Sequence, residues 1–127
     1  MFKLLTIVFL TLFTTATVSE EYETMTDSDS DFLKTIGQLV ETNLSNNELK
    51  IADIYQEMGM GRSKFFDKMK GLTGLPPIDF IRNYRLQKAR QLLQTGQYNV
   101  SETSYMTGFT DAGYFSKCYK AKYGITP

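Results

Sequence analysis

The sequence contains no histidine, no tryptophan and a single cysteine. Without histidine there is no imidazole for acid–base catalysis and none to ligate a metal. One cysteine, Cys118, cannot close an intramolecular disulfide or complete a CxxC metal site. It falls on an expected helix near aromatic residues, with no neighbouring base to draw off its proton, and reads as an inert thiol. The carboxylates after residue 32 are scattered singly. Gly59-Met60-Gly61 lacks the Gly-Lys-Ser/Thr continuation of a phosphate-binding loop. These absences leave no catalytic residues, no metal site and no cofactor site to propose, and an enzyme has no support.

Net charge is also lacking, with 14 Lys/Arg against 14 Asp/Glu. The balance hides an asymmetry. Glu20, Glu21, Glu23, Asp27, Asp29 and Asp31 form an acidic run without a base. From Phe32 onward there are 13 Lys/Arg and 8 Asp/Glu, a net of +5, and from Met60 onward 11 against 4, a net of +7. A basic C-terminal half can hold a polyanion by displacing its counterions. A solubilising charged face has the same composition, so charge alone does not decide.

At 127 residues and 42% apolar composition the chain has the length of one domain. Three regions differ in character. Residues 1–18 are apolar and threonine-rich with one early base, Lys3. They resemble a signal peptide and are short for a spanning helix, which needs about 20 apolar residues. An export signal, a membrane-anchor remnant making membrane contact, and a misplaced start on a fragment remain open. The rest of the chain points to the cytoplasm, with tethering if residues 1–18 are an anchor. Residues 19–31 read as an acidic, disordered linker.

Residues 32–127 read as all-α. Phe32, Leu33, Ile36, Leu39, Val40 and Leu44 recur at helical spacing behind a cap at Asp29, Ser30 or Asp31. A second helix carries Ile51, Ile54, Tyr55 and Met58 and stops at Gly59. A third runs from about Arg62 to Lys70, ended by Gly71 and Gly74. Pro76-Pro77 opens a long fourth helix to Thr95, with apolar positions Ile78, Ile81, Tyr84, Leu86, Ala89, Leu92 and Leu93. A fifth starts at Ser101 and ends at Gly108. A sixth follows Thr110-Asp111 and ends at Gly124.

Two segments are alike, Ile51 to Lys70 and Ser101 to Lys122. Each is a short helix, a glycine-marked turn and a second helix, the helix-turn-helix pattern. In such units the second helix enters the major groove of DNA. Phe66 and Phe115 mark the middles of the two candidate recognition helices. The helix between the units, about 27 Å long, could place them in successive major grooves, about 34 Å apart, on an asymmetric site.

Gly59-Met60-Gly61-Arg62-Ser63, Leu72-Thr73-Gly74-Leu75-Pro76-Pro77, Phe80-Ile81-Arg82, Arg85-Leu86 and Leu92-Leu93 resemble the first unit and linker helix of AraC/XylS-type regulators. Gly108-Phe109-Thr110-Asp111, Tyr114-Phe115-Ser116-Lys117 and Tyr123-Gly124-Ile125-Thr126-Pro127 resemble that family's second-unit signature. The wording around the linker is also similar to output domains of hybrid two-component regulators. The resemblance implies two helix-turn-helix subdomains joined by a long linker helix. It implies double-stranded DNA as partner, RNA polymerase as a second, and a sensor or receiver domain not present in this chain. Ser63, Phe66 and Asp67, then Ala112, Gly113 and Lys117, match base-facing positions. Arg62, Lys64 and Lys70 match phosphate-contacting neighbours in the first unit, and Asp111, Tyr114, Ser116 and Lys120 flank the second.

Chemistry agrees in part. Lys117 can donate to guanine O6/N7, and Phe66 or Ala112 can touch a thymine methyl. Asp67 would either accept from cytosine N4 or pair along the helix with Lys64 or Lys70. Phe65, Met69, Phe115 and Tyr119 read as core. Arg82, Arg85, Lys88 and Arg90 read as a solvated face, some of them as phosphate contacts. Tyr55, Thr103, Thr107 and Gly61 depart from the family pattern in ways that cost stability. The end at Pro127, where the family adds a helix, supports the fragment reading. The competing function is a membrane-tethered or exported helical protein-interaction module, resting on residues 1–18 alone.

Overall fold

A computed structural model describes residues 26–127; the hydrophobic segment 1–18 and most of the acidic stretch expected as a linker lie outside the described residues. The chain divides into two units, Met1–Lys34 and Thr35–Pro127. The described residues form six helices and no strand: α1 Asp27–Thr42, α2 Ile51–Glu57, α3 Arg62–Thr73, α4 Pro77–Gln94, α5 Val100–Met106 and α6 Ala112–Tyr123. None is long and apolar enough to cross a membrane.

Helix α1 begins inside the stretch expected to be linker. Thr26, not Asp29, Ser30 or Asp31, caps it: the Thr26 hydroxyl oxygen accepts from the Asp29 N–H at 3.0 Å. Asp27 and Asp29 occupy the first turn, where carboxylates favour the positive end of the helix dipole. The acidity that suggested a solvated linker therefore also suits a helix start. Further along, Gly37 lets α1 approach α4. A Cβ built there would lie 3.3 Å from the Tyr84 ring. The Tyr84 hydroxyl donates to Glu41 at 2.9 Å, and Lys88 pairs with the same carboxylate at 3.0 Å.

The two helix pairs are built alike. In the first, α2 packs on α3 and α3 on α4. Ile54, Phe65, Met69 and Ile81 are buried, and Tyr55 stacks 5.8 Å from Phe65. In the second, α5 and α6 both pack on α4. Leu86 and Ala89 of α4 join Phe109, Phe115 and Tyr119 in one apolar core. The rings of Phe109 and Phe115 are 5.1 Å apart, and those of Phe115 and Tyr119 5.8 Å apart. Helix α4 is thus shared by both cores.

Several boundaries differ from expectation. Helix α3 continues through Gly71 to Thr73, because Gly71 is exposed and a helix tolerates an isolated glycine. Gly74 ends it in the left-handed region, φ 73°. Helix α5 starts one residue early, behind Asn99. The Asn99 side chain accepts from the Glu102 N–H at 2.7 Å, and Glu102 returns the favour to the Asn99 N–H at 2.9 Å. Ile78, placed in the apolar stripe of α4, is 57% exposed. Arg85, read as solvated or phosphate-facing, is buried. It shares a four-residue spacing with Ile81 and Ala89, so the inward stripe of α4 carries a cation at its centre.

Candidate nucleic-acid interface

Helices α3 and α6 are both 12 residues long and correspond at an offset of 50. Gly61 and Asp111 occupy their N-caps, and Gly74 and Gly124 their left-handed C-caps. Phe65 and Met69 are buried in α3, and Phe115 and Tyr119 in α6. The equivalent of Phe115 is therefore Phe65, and Phe66 corresponds to Ser116. At that register Arg62, Ser63, Phe66, Asp67 and Lys70 correspond to Ala112, Gly113, Ser116, Lys117 and Lys120. Ser63, Asp67 and Lys70, with their counterparts Gly113, Lys117 and Lys120, lie opposite the buried side chains, while Arg62 and Phe66, with Ala112 and Ser116, flank them.

Exposure follows that geometry. Arg62, Ser63, Lys64, Asp67 and Lys70 are exposed on α3, and Phe66 is half-buried. The Arg62 guanidinium lies 4.1 Å from the centre of the Phe66 ring, so these two side chains present one stacked cationic surface. On α6, Gly113, Tyr114, Lys117 and Lys120 are exposed, with Ala112 and Ser116 half-buried. The ion pairs Arg82–Asp79 and Lys88–Glu41 involve none of these side chains. The pairing of Asp67 with Lys64 or Lys70 along α3 is not made. Lys64, Lys70, Lys117 and Lys120 stand outside those pairs.

The N-termini of the two helices are finished differently. The Asp111 carboxylate accepts from the Gly113 N–H at 2.9 Å. Its charge is thereby committed to the helix end, where the dipole favours it. A Cβ at Gly113 would meet that carboxylate at 3.4 Å. Gly61 offers α3 no side-chain cap, so the first amides of α3 stay open toward the face carrying Arg62 and Ser63. An open helix N-terminus suits a phosphate.

Of the polar side chains that pack near the interface, Lys122 alone had no role in the sequence reading. Arg90 of α4 lies 4.7 Å from the Tyr123 ring centre, and Lys122 lies 5.5 Å from the same ring. Desolvation, followed by the like charge of Arg90, lowers the Lys122 pKa. The neighbouring Cys118 raises the pKa of the Tyr114 phenol. Its ring sits 6.2 Å from Phe109. The supporting helix α5 holds Thr103 and Thr107 fully buried. Thr107 donates to the Thr103 carbonyl at 2.7 Å, but the Thr103 hydroxyl has no partner.

Comparison with known proteins agrees with this arrangement. The family model described as "Helix-turn-helix domain" matches residues 54–127. Histidine kinase P4 of Formosa agariphila is 38% identical over 104 residues, 82% of this chain and 8% of that protein. The HTH-type transcriptional regulator ExsA of Pseudomonas aeruginosa is 31% identical over 81 residues, 64% of this chain and 29% of the regulator. The chain thus spans less than a third of the length of these relatives. Among solved structures, a transcriptional regulator from Chromobacterium violaceum, described as an AraC-type DNA-binding domain-containing protein, superposes with a TM-score of 0.72. It is 27% identical, over 80% of this chain and 90% of that one.

Proposed function

Because the chain belongs to the AraC/XylS-type helix-turn-helix family, we propose that residues 32–127 bind double-stranded DNA sequence-specifically and regulate transcription, α3 and α6 each reading one major groove of an asymmetric site. The observation that carries this reading is the equivalence of α3 and α6. Two helices of equal length, in the same register, turn matched faces outward, with Lys64 and Lys70 exposed on one and Lys117 and Lys120 on the other. The faces differ in sequence, so the two half-sites differ too. Ser63, Phe66, Asp67, Ala112, Gly113 and Lys117 are the base-facing set. Arg62, Lys64, Lys70, Tyr114, Ser116 and Lys120 hold the backbone, and Asp111 acts through the helix end it caps.

Likeness to histidine kinase P4 is confined to 8% of that protein and implies no kinase chemistry here. A sensor or receiver domain supplying the signal, and RNA polymerase receiving it, fit a domain of this kind. Cytoplasmic placement follows from the DNA partner. Anchoring through residues 1–18 rests on their composition alone.

The test is binding to a randomised duplex pool across a salt series. Affinity falls with rising salt, and Lys70→Ala or Lys120→Ala each lowers the slope of log K against log salt by about 1. Lys117→Ala changes the selected sequence in the second half-site. Absence of any selected sequence at low salt removes the DNA reading.

A further inference from the structure

Arg85 is a buried cation with no acid paired to it among the described residues. One guanidinium nitrogen donates to the carbonyls of Leu44 and Thr107, the latter at 2.8 Å, and the other donates to the Asn46 carbonyl at 3.2 Å. Leu44 and Asn46 lie in the loop that leads from α1 into α2, the first helix-turn-helix unit. Thr107 is the C-cap of α5, in the second unit. A single side chain from the shared helix α4 therefore ties the loop entering the first unit to the turn of the second through their backbones. Carbonyls at helix ends carry the partial negative charge that a cation there requires.

Three further observations show that the grip is built in. Gly108 follows Thr107 with φ 87°, and a Cβ there would collide with the Arg85 guanidinium and lie 2.6 Å from the Leu44 carbonyl oxygen. Only glycine leaves room for the contact and adopts that backbone readily. Burial disfavours the charge and lowers the Arg85 pKa, so the side chain sits there at a cost its three acceptors must offset. Beside it, an open crevice of about 250 Å³ separates Leu49 and Ile51 of the first unit from Phe109 and Tyr114 of the second. Apolar packing leaves part of the junction open, and the guanidinium spans it beside the close approach of Gly108 to the Leu44 carbonyl.

We propose that Arg85 is the positioning residue that sets the separation and relative rotation of α3 and α6, and so determines the spacing between the two half-sites in the DNA. The proposal rests on the DNA reading above. Arginine suits the task because its planar fork holds several acceptors at fixed angles, which a lysine ammonium cannot do. One added base pair moves the half-sites by about 3.4 Å and rotates them by about 34°, a mismatch that a rigid junction transmits as lost affinity.

The experiment uses the full chain. Arg85→Lys and Arg85→Met are titrated against the selected site and against versions with one base pair added to or removed from the spacer. The wild type loses about tenfold or more on either altered spacer. In Arg85→Lys, affinity for the native spacer falls and the spacer penalty shrinks to about threefold or less, while the salt slope is unchanged. A spacer preference equal to the wild type overturns the proposal. So does a salt slope reduced by about 1, which marks a phosphate contact. A second measurement needs no DNA: spin labels on Gln56→Cys and Ser101→Cys, at exposed positions in a Cys118→Ser background, report the inter-unit distance with Arg85 and with Arg85→Lys. One narrow distribution is expected with Arg85 and a broader or shifted one with Arg85→Lys, and identical distributions overturn the proposal. Should the wild type bind no DNA, the DNA reading falls while the distance distribution still decides the role of Arg85.

Discussion

Replacing Thr103 by valine should stabilise the protein. Thr103 is fully buried in α5 and its hydroxyl oxygen finds no hydrogen-bond partner. A buried polar group left unpaired costs about 1–3 kcal/mol, and valine keeps the β-branched shape while replacing the hydroxyl with a methyl. The expected gain is about 1–2 kcal/mol. In a domain of this size about 1 kcal/mol corresponds to a rise in Tm of about 4–8 °C. Thr107 supplies the control. It is equally buried, but its hydroxyl donates to the Thr103 carbonyl at 2.7 Å, so Thr107→Val removes a made hydrogen bond and should gain nothing. Urea unfolding followed by circular dichroism reads both variants, with the midpoint moving and the slope constant. If Thr103→Val leaves the midpoint unchanged or lowers it, the hydroxyl is satisfied in solution, by an internal water for example, and the reasoning fails.

Asp111 separates capping from charge. Asp111→Ala should cost about 1 kcal/mol of stability by unseating the Gly113 N–H. Asp111→Asn should keep the cap and strengthen DNA binding at low salt by removing a negative charge, so equal stability losses in the two variants, by urea unfolding, would contradict the assignment. Tyr84 predicts an alkaline limb. Burial first, then the hydrogen bond to Glu41, raises its pKa above the ordinary value of about 10. The raised folded value means its contribution is complete below about pH 10 and is lost as pH climbs through the folded pKa. Between pH 9 and 11 the wild type should lose stability more steeply than Tyr84→Phe; parallel curves would count against the Tyr84–Glu41 bond. The aromatic cores can be probed in the same way: Phe65→Ala and Phe115→Ala should each cost about 3–5 kcal/mol, and a loss below about 1 kcal/mol in either would mean that its core is not packed around that ring.

Much of the fold was legible because its signals are local. Glycines at 59, 74, 96, 108 and 124 all have positive φ. They punctuated the sequence correctly because only a residue without a Cβ enters that region freely. Gly71 misled because a glycine inside a helix and a glycine ending one look identical in sequence. The face of α6 was legible from the spacing of Phe115 and Tyr119, which forces Lys117 and Lys120 to the opposite side. The register between α3 and α6 was harder to see, since adjacent Phe65 and Phe66 offered two equivalents for Phe115. Burial chose Phe65.

What the sequence determined alone is the set of elements: helices with their glycine stops, a paired repeat, and cations concentrated after Met60. These follow from backbone sterics and the 3.6-residue period, which act over a few residues. The tertiary structure decided which polar residues leave the surface. Arg82, Arg85, Lys88 and Arg90 are alike in composition and spacing, yet one binds Asp79, one binds Glu41, one covers Tyr123, and Arg85 turns inward to three carbonyls. Those carbonyls lie about 20 to 40 residues away along the chain, and no local pattern specifies that they converge. Convergence is a property of the packed helices, because a buried guanidinium is stable only where several acceptors meet at once.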